Sequence, residues 1–408
     1  MNIRKLQINT FNDALKMIEK TQCDEYVYTK LAKKIIQSSF IIENIDNRAA
    51  NILKQDALSC GCDVAVSKDI SLFKKGLSTV ILCANKYQAE KLAEKIKEQP
   101  FGLREISKKI FEISKEEKER RIVCANKKII LKDTPLVMGI VNLSEDSFFG
   151  NGISDEKQAV EAALDMQNQG ADIIDIGAES TRPGSKPVNV KDEILKIKKF
   201  LKIAHKKIKV PISVDTYKPE AAEAALSEGA DIINDIYALR YECTINDKDR
   251  KKMKKSMAKV VAKHKAAVAL MHMIKTPLTM QKNIKYNNVI SDIIDFLQIQ
   301  TEYAVEAGIN KNSIIIDPGI GFGKTVDNNL EIIKRLFEFK SLNYPLLVGL
   351  SNKSFLAKII KDEKPEERVS ANITANVLAA LNGADILRVH NVKEIKRALQ
   401  TVNAVRKI

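Results

Sequence analysis

Polar side chains capable of chemistry recur at one kind of place in this sequence, the C-terminal edge of short apolar runs. In chain order they are Asn142; Glu179, Thr181 and Arg182; Asp215; Asn234; His272; Asp317; Ser351 and Lys353; and Arg388 with His390. Asp215, Asn234 and Asp317 offer directional acceptors and donors on short stems, which suits a flat heterocycle with an amino-amide edge. Lys353, Arg388 and His390 gather positive charge after the last two runs, and a bidentate arginine suits a pair of phosphate oxygens. A carboxylate pair doing acid/base glycoside chemistry is the competing reading. The cation cluster argues against it, because a sugar needs no anion clamp. Any one of these residues reads equally well as a capped or solvated loop position, but packing alone does not end all eight runs in polar groups.

The elements that must position them are best seen at Ile314-Ile-Ile-Asp317-Pro-Gly319-Ile-Gly321-Phe-Gly323-Lys324. A short apolar run reads as a buried parallel strand, and the acid that ends it, followed by a glycine-rich turn, lies at the edge where α/β folds bind ligands. A nucleotide phosphate loop is excluded, since Gly323-Lys324-Thr325 would need a glycine where Pro318 stands. From Leu136 onward eight such runs appear: 136–141, 172–176, 212–214, 231–233, 266–271, 313–316, 346–350 and 385–389. Each is followed by a helical pattern. Eight βα units in about 270 residues predict a (β/α)8 TIM barrel, with a doubly wound open sheet as the alternative. Part of the repeat is literal: Gly170-Ala-Asp-Ile-Ile-Asp175, Gly229-Ala-Asp-Ile-Ile-Asn234 and Gly383-Ala-Asp-Ile-Leu-Arg388 each put a glycine at a helix C-cap and then launch a strand.

Before the barrel, residues 1–120 predict a smaller α/β domain. Residues 1 to about 47 carry no motif, 49–58 and 86–97 read as helices, and 63–66 and 78–83 as strands. A hairpin over 121–131 closes the barrel bottom, so 121–408 is expected to be the catalytic unit. The net charge of +15 is diffuse, mostly lysine alternating with glutamate at helical spacing, which is the texture of a solvated helix face. Only 5% of the chain is aromatic and it has no tryptophan, so nucleic acid is not expected as a partner. No apolar run approaches the ~20 residues that span a bilayer, so no membrane association is expected. The N-terminus lacks a secretory pattern, and the six cysteines include no CxxC pair, Cys60-Gly-Cys62 being a weak redox or metal hint. These features point to the cytoplasm.

Taken together, Met138–Phe148, Gly177-Ala-Glu-Ser-Thr-Arg-Pro-Gly184, Ser213-Val-Asp-Thr216, Asn234-Asp-Ile, Met271-His-Met, Asp317–Lys324, Ser351-Asn-Lys-Ser354 and Arg388-Val-His390 resemble dihydropteroate synthase over about residues 131–408. The resemblance implies a folate-pathway transferase that joins a dihydropterin-CH₂-diphosphate to p-aminobenzoate and releases diphosphate. It implies that Asp215, Asn234, Asp317 and Lys353 hold the pterin. Asn142, Arg388 and His390 would hold the diphosphate and its Mg²⁺, with Asn142 as the metal ligand. Thr181, Arg182 and Ser354 lie in motifs that frame the p-aminobenzoate site. Asp215, Asp317, Lys353 and Arg388 are the residues expected to carry catalysis. On this reading Arg388→Ala abolishes diphosphate binding and largely spares pterin affinity. The family is often a homodimer through its late helices.

The sequence departs from the family pattern at the first loop, Ser144–Gly152, at Asn352 where an arginine is usual, and at Lys275 and Leu278. Losing the cation at 352 bears on affinity for p-aminobenzoate more than on reaction type. Two other functions fit a pterin-binding barrel: methyl transfer from methyl-tetrahydrofolate to a corrinoid, and a catalytically silent binding module. Thr181-Arg182-Pro-Gly and Arg388-Val-His390 favour the synthase, since methyl transfer has no diphosphate to hold.

Overall fold

A computed structural model of the chain describes residues 1–8, 10–114, 120–125, 127–143, 156–179, 187–241, 256–361, 364 and 366–407. The chain divides into two compact units, Met1–Glu117 and Lys118–Ile408.

The first unit is built on three antiparallel strands, β1 (Gln37–Asp46), β2 (Asp63–Ala65) and β3 (Leu77–Asn85), in the order β1-β3-β2. Strand β3 alternates exposed and buried residues, so Val80, Leu82 and Ala84 turn inward. They meet the apolar stripes of helices Asn47–Ser59 and Lys86–Ile96, among them Leu53, Ala57, Leu92 and Ile96. The second helix begins with a capping box in which Asn85 and Gln88 satisfy each other's backbone N–H groups, a device that fixes where the strand ends and the helix starts. Cys60 and Cys62 belong to this core, and burial pushes the Cys62 thiol up to about 11. They pack as small apolar residues. The sequence left residues 1–47 without a motif, yet β1 lies there, because its Ser, Asn and Glu content dilutes the apolar alternation.

The second unit opens with a hairpin of β4 (Arg121–Cys124) and β5 (Lys127–Ile130), followed by eight strands. These are β6 (Leu136–Asn142), β7 (Ile173–Gly177), β8 (Ile212–Asp215), β9 (Ile232–Asp235), β10 (Ala267–Met271), β11 (Ile314–Asp317), β12 (Leu347–Gly349) and β13 (Ile386–Val389). All run parallel in the order β11-β10-β9-β8-β7-β6-β13-β12, and a parallel bridge between Ile316 and Leu346 joins the two ends. The sheet is a closed TIM barrel, and the open doubly wound alternative is excluded. Strand residues are buried on both faces, as continuous apolar runs require: one set packs outward on the helices, with Val137, Ile174, Val214 and Ile233 against Phe200, Leu201 and Ala225. The other set fills the barrel.

That interior set explains the hairpin. Ile122, Cys124, Ile129 and Leu131 form one buried cluster with Met138, Ile173, Ile232, Ala267, Ala269, Ile315, Leu347 and Ile386, residues of the barrel strands. The hairpin therefore stoppers the end where the strands begin. It is tied there by the Ser313 hydroxyl donating to the Val123 carbonyl at 2.6 Å, by Lys127 with Asp231 at 2.8 Å and by Arg120 with Asp385 at 2.8 Å.

The literal repeat does specific work at the same end. Asp172 accepts the Val137 N–H at 2.7 Å, Asp231 the Ile212 N–H at 2.9 Å and Asp385 the Leu346 N–H at 2.9 Å. Each repeat aspartate thus holds a backbone donor at the start of the neighbouring strand. Each also meets a base: Lys396 for Asp172, Lys127 for Asp231, and Lys340 with Arg120 for Asp385. Cutting the chain after Leu131 removes the stopper. At roughly 1.5–3 kcal/mol per buried aliphatic side chain, losing Ile122, Ile129 and Leu131 should cost about 5 kcal/mol. A fragment 118–408 should therefore melt cooperatively by circular dichroism, whereas 132–408 should show a much lower and broader transition; equal melting of the two would show that the hairpin is dispensable.

Candidate active site

The strand register builds the site. Across neighbouring strands Asn142 pairs with Gly177, Gly177 with Asp215 and Asp215 with Asn234, while Met271 pairs with Asp317 and Gly349 with Arg388. Parallel strands in this register thus carry the side chains of their C-terminal ends to one rim, the functional face of a TIM barrel. There Asp215, Asn234, Asp317, Lys353 and Arg388 line one cleft of about 330 Å³ with Ile236, Met271, Ile320 and Phe322 as apolar walls. A few convergent polar groups between apolar walls is the usual build of a small-molecule site.

Arg388 stands at the centre. Its Nε donates to Asp175 Oδ2 at 2.6 Å and its Nη2 to Asp215 Oδ2 at 2.7 Å, and both carboxylates are buried. Burial works against the guanidinium charge, but Asp175 and Asp215 outweigh it and hold Arg388 above its ordinary range. Burial likewise raises the Asp215 carboxyl above the usual carboxylate range, with Arg388 pulling it back. The other oxygens, Asp175 Oδ1 and Asp215 Oδ1, have no hydrogen-bond partner. An orphaned buried acceptor is costly, and that of Asp215 belongs to a cleft-lining residue.

Asp317 ends β11 with Oδ1 accepting the Gly319 N–H at 2.7 Å, and burial raises its carboxyl while that N–H and Lys353 oppose the shift. Lys353 Nζ lies 4.2 Å from the centroid of the Phe322 ring, a cation–π distance. His390 and Asn352 sit at the margin: His390 Nδ1 is 3.2 Å from both the Asn352 amide nitrogen and the Ser351 hydroxyl, and Asn352 exchanges two 3.0 Å hydrogen bonds with Asn372. Ser354 is exposed at the start of helix Ser354–Ile360. Asn142 is half-buried at the end of β6. Thr181, Arg182 and the first loop, 144–152, lie outside the described residues.

Two residues of the polar ring serve other ends. Glu179 is engaged by Lys218 at 2.5 Å and by the Tyr217 hydroxyl at 2.6 Å, and Lys218 also binds Glu193 at 2.7 Å, a buried network. His272 is buried against Phe296 and Tyr286, and burial with the charge of Lys324 pushes it well below the usual imidazole range. Conversely, the sequence reading passed over Asp175. The signal was present, since Asp175 holds the same place in its repeat as Asn234 and Arg388 do in theirs.

Residues 138–390 match the family described as pterin binding enzyme. The dihydropteroate synthase of Escherichia coli K12 is 39% identical over 271 residues, 66% of this chain and 91% of that protein. The chain belongs to the dihydropteroate synthase family. The crystal structure of the Xanthomonas albilineans dihydropteroate synthase in complex with 7,8-dihydropteroate superposes with a TM-score of 0.61 at 34% identity, covering 71% of this chain and 99% of that one. A Helicobacter pylori protein described as a bifunctional dihydropteroate synthase/dihydropteroate reductase is 31% identical over 390 residues, 94% of each chain. The synthase relatives thus match the barrel, and the Helicobacter protein extends across the first unit as well.

The geometry changes one expectation about Arg388. Two donors of the guanidinium are engaged by Asp175 and Asp215, and Asp215 lines the same cleft, so a change at Arg388 also bears on Asp215. Arg388→Ala leaves two buried carboxylates without a counter-charge, and breaking a buried pair costs about 3–5 kcal/mol. Urea unfolding should report a loss of that size, with pterin binding lost by calorimetry together with anion binding; an Arg388→Ala protein of parental stability and pterin affinity would refute the coupling.

Proposed function

We propose that the cleft binds the dihydropterin ring edge-on to Asp215, Asn234 and Asp317, and that the chain joins dihydropterin-CH₂-diphosphate to p-aminobenzoate to form 7,8-dihydropteroate and diphosphate, a step of folate biosynthesis. The observation that carries this is the orphaned Asp215 Oδ1 in a cleft walled by Ile236, Met271 and Phe322. A flat heterocycle rich in N–H donors satisfies such an acceptor while its faces meet the apolar walls. The relatives support the same substrates over methyl transfer.

The chemistry follows from what these residues do. The carboxylates and Asn234 fix the ring, and Lys353 borders it beside Phe322. The exocyclic C–O bond breaks with its electron pair leaving on diphosphate, and the electron-rich ring carries the resulting positive charge. The aromatic amine of p-aminobenzoate then forms the new C–N bond and sheds a proton. That amine is neutral at pH 7, so no protein base has to activate it. Thr181, Arg182 and Ser354 are assigned to p-aminobenzoate, and Asn142, Arg388 and His390 to the diphosphate end.

Mg²⁺ fits this donor set in one way. Among the described residues no three His, Cys, Asp or Glu side chains cluster as a metal cage, and Asn142 offers a single neutral oxygen at the rim. Such a site suits a hard cation that arrives on a diphosphate and keeps most of its waters. Bound there, Mg²⁺ would offset charge on the leaving group. Leu378, Leu381 and Val405, exposed on the last two helices, support a homodimer through that face. No described helix is long and apolar enough to cross a membrane, and we place the protein in the cytoplasm.

A second activity is favoured by one observation, that the similarity to the Helicobacter pylori bifunctional protein runs through residues 1–117 as well as the barrel. Reduction of dihydropteroate adds a hydride and a proton across a ring C=N bond, and a reduced nicotinamide supplies the electrons. Full-length protein given dihydropteroate and reduced nicotinamide should form tetrahydropteroate by chromatography, and dihydropteroate left intact would rule the second activity out.

The synthase reading is tested directly by mixing protein, Mg²⁺, pterin diphosphate and p-aminobenzoate and following dihydropteroate and diphosphate. Asp317→Asn then locates the pterin: it replaces an acceptor with a donor facing a donor, and charge-assisted bonds of roughly 1.5–3 kcal/mol are lost. The expected cost is about 3 kcal/mol, a hundredfold or more in kcat/KM. Burial raises the Asp317 carboxyl and lifts the Asp215 carboxyl to about 7; their accepting forms are lost as pH falls through those higher values, so the acid limb of kcat/KM should lie above the ordinary carboxylate range. An Asp317→Asn enzyme with parental turnover would show that the pterin does not sit on this strand.

A further inference from the structure

His390 follows β13, and the groups around its Nδ1 decide which ring nitrogen carries the proton. The chain of contacts begins at a backbone N–H, which can only donate. The Asn352 N–H meets Asn372 Oδ1 at 3.0 Å, so the other end of the Asn372 amide is its nitrogen. That nitrogen lies 3.0 Å from the Asn352 side chain, which must present its oxygen there. The remaining end of the Asn352 amide is therefore Nδ2, a pure donor, and it stands 3.2 Å from His390 Nδ1. Each step leaves one assignment. Asn372 anchors the chain, buried on helix Val369–Leu381.

Ser351 adds a second donor at the same nitrogen. Its hydroxyl oxygen accepts the His390 backbone N–H at 3.3 Å and lies 3.2 Å from Nδ1, so the hydroxyl can turn its own proton toward the ring while it accepts that N–H. A proton on Nδ1 would face the Asn352 amide nitrogen, a donor against a donor. Nδ1 therefore accepts. In a neutral imidazole one nitrogen donates and the other accepts, so fixing Nδ1 puts the ring proton on Nε2. Asn352 can hold this posture because its φ of +60° is a conformation asparagine tolerates. An arginine at 352 would have no acceptor for the Asn372 amide.

We propose that Asn352, anchored on Asn372, is a positioning residue that holds His390 with Nδ1 as acceptor, so that the ring meets the diphosphate through an Nε2–H donor. The inference rests on the reading that the diphosphate end lies at His390. The ionised oxygens of a diphosphate accept hydrogen bonds: a lone pair on Nε2 would repel them, whereas Nε2–H gives them a charge-assisted bond. The effect is specific to the ligand that carries the diphosphate, because the pterin ring is held by Asp215, Asn234 and Asp317.

Nitrogen-15 NMR of the full chain labelled at histidine reads the tautomer. The chain has four histidines, and His390→Gln identifies the signal by its loss. At a pH above the ordinary imidazole range, parental His390 should show Nε2 protonated and Nδ1 bare. Asn352→Asp suits the same backbone and keeps both partners for Asn372, but it turns an acceptor toward Nδ1, so the proton should move to Nδ1. Asn352→Gly, which also suits a positive φ, removes the amide. In calorimetry with Mg²⁺ and no p-aminobenzoate, its affinity for dihydropterin-CH₂-diphosphate should fall about tenfold, the worth of one hydrogen bond to a charged group, while dihydropterin-CH₂-OH binds as it does to the parent. A protonated Nδ1 in the parent, a bare Nδ1 in Asn352→Asp, parental diphosphate affinity in Asn352→Gly, or an equal loss for both ligands would overturn the proposal, the last because Asn352 would then hold the pocket and not His390. If the parent itself binds both ligands alike, the diphosphate end is not at His390 and the underlying reading fails with the proposal; if it discriminates and the variants behave as the parent does, only the role of Asn352 has failed.

Discussion

Arg388 between Asp175 and Asp215 is the interaction on which the mouth of this barrel depends. Two buried carboxylates, from β7 and β8, each lie within hydrogen-bonding distance of the half-buried guanidinium that β13 contributes. Strands β6, β7, β8 and β13 are neighbours in the sheet, so the guanidinium reaches past β6 to bind the two strands beyond it. Such a cluster is expensive to bury and expensive to break. With all three groups ionised it carries a net charge of minus one before Asp317 and Lys353 are added, and it leaves one oxygen of Asp175 and one of Asp215 without a partner. Of the two carboxylate oxygens left without a partner, on Asp175 and Asp215, the one on Asp215 belongs to a residue that lines the cleft.

Much of this architecture was legible because each βα unit repeats one bargain between local and global preference. The eight apolar runs fell within a residue or two of the eight strands, since a strand buried on both faces needs nothing but apolar side chains and its ends are marked by turn chemistry. The polar residues at the run ends converged for the same reason: in a parallel barrel all C-terminal ends share one rim. What stayed illegible depends on contacts between residues distant in sequence. Arg388 reads as an anion clamp when only its charge is visible, and its pairing with Asp175, 213 residues away, requires the barrel to be closed. Strand β1 lies in the stretch that reads as alternating short helical and strand-like runs without a motif, and its pairing with β3 is what the sequence does not show.

Asn352 shows the same limit at a smaller scale. From the sequence it is a lost cation. In the structure its backbone is left-handed, with φ of +60°, a conformation asparagine tolerates, and its amide is locked between Asn372 and His390. An amide can both donate and accept, so it links two groups that an arginine, donor only, would serve differently. The substitution therefore trades charge at the rim for a fixed orientation of His390. The ion pairs of Arg388 with Asp175 and Asp215 do not involve Asn352.

The two ends of the barrel use the same residue type for opposite purposes, and the difference lies in what each carboxylate touches. Asp172, Asp231 and Asp385 open their strands, and each holds a neighbouring backbone N–H together with a lysine or arginine. Their acceptors are consumed by the fold, which is what a buried carboxylate must achieve to be stabilising. Asp215 closes β8 and Asp175 stands in the middle of β7, and each keeps one oxygen without a partner. Within one repeat, Gly170 to Asp175, an aspartate of each kind stands three residues apart: the first fastens β7 to β6 and the second faces Arg388. A repeat of this kind fixes the register at one end, and because a parallel sheet transmits register along every strand, it also fixes the relative heights of Asp215, Asn234 and Arg388 at the other. The satisfied acids at the bottom are thus the reason Asp215, with its one unsatisfied oxygen, stands at the cleft.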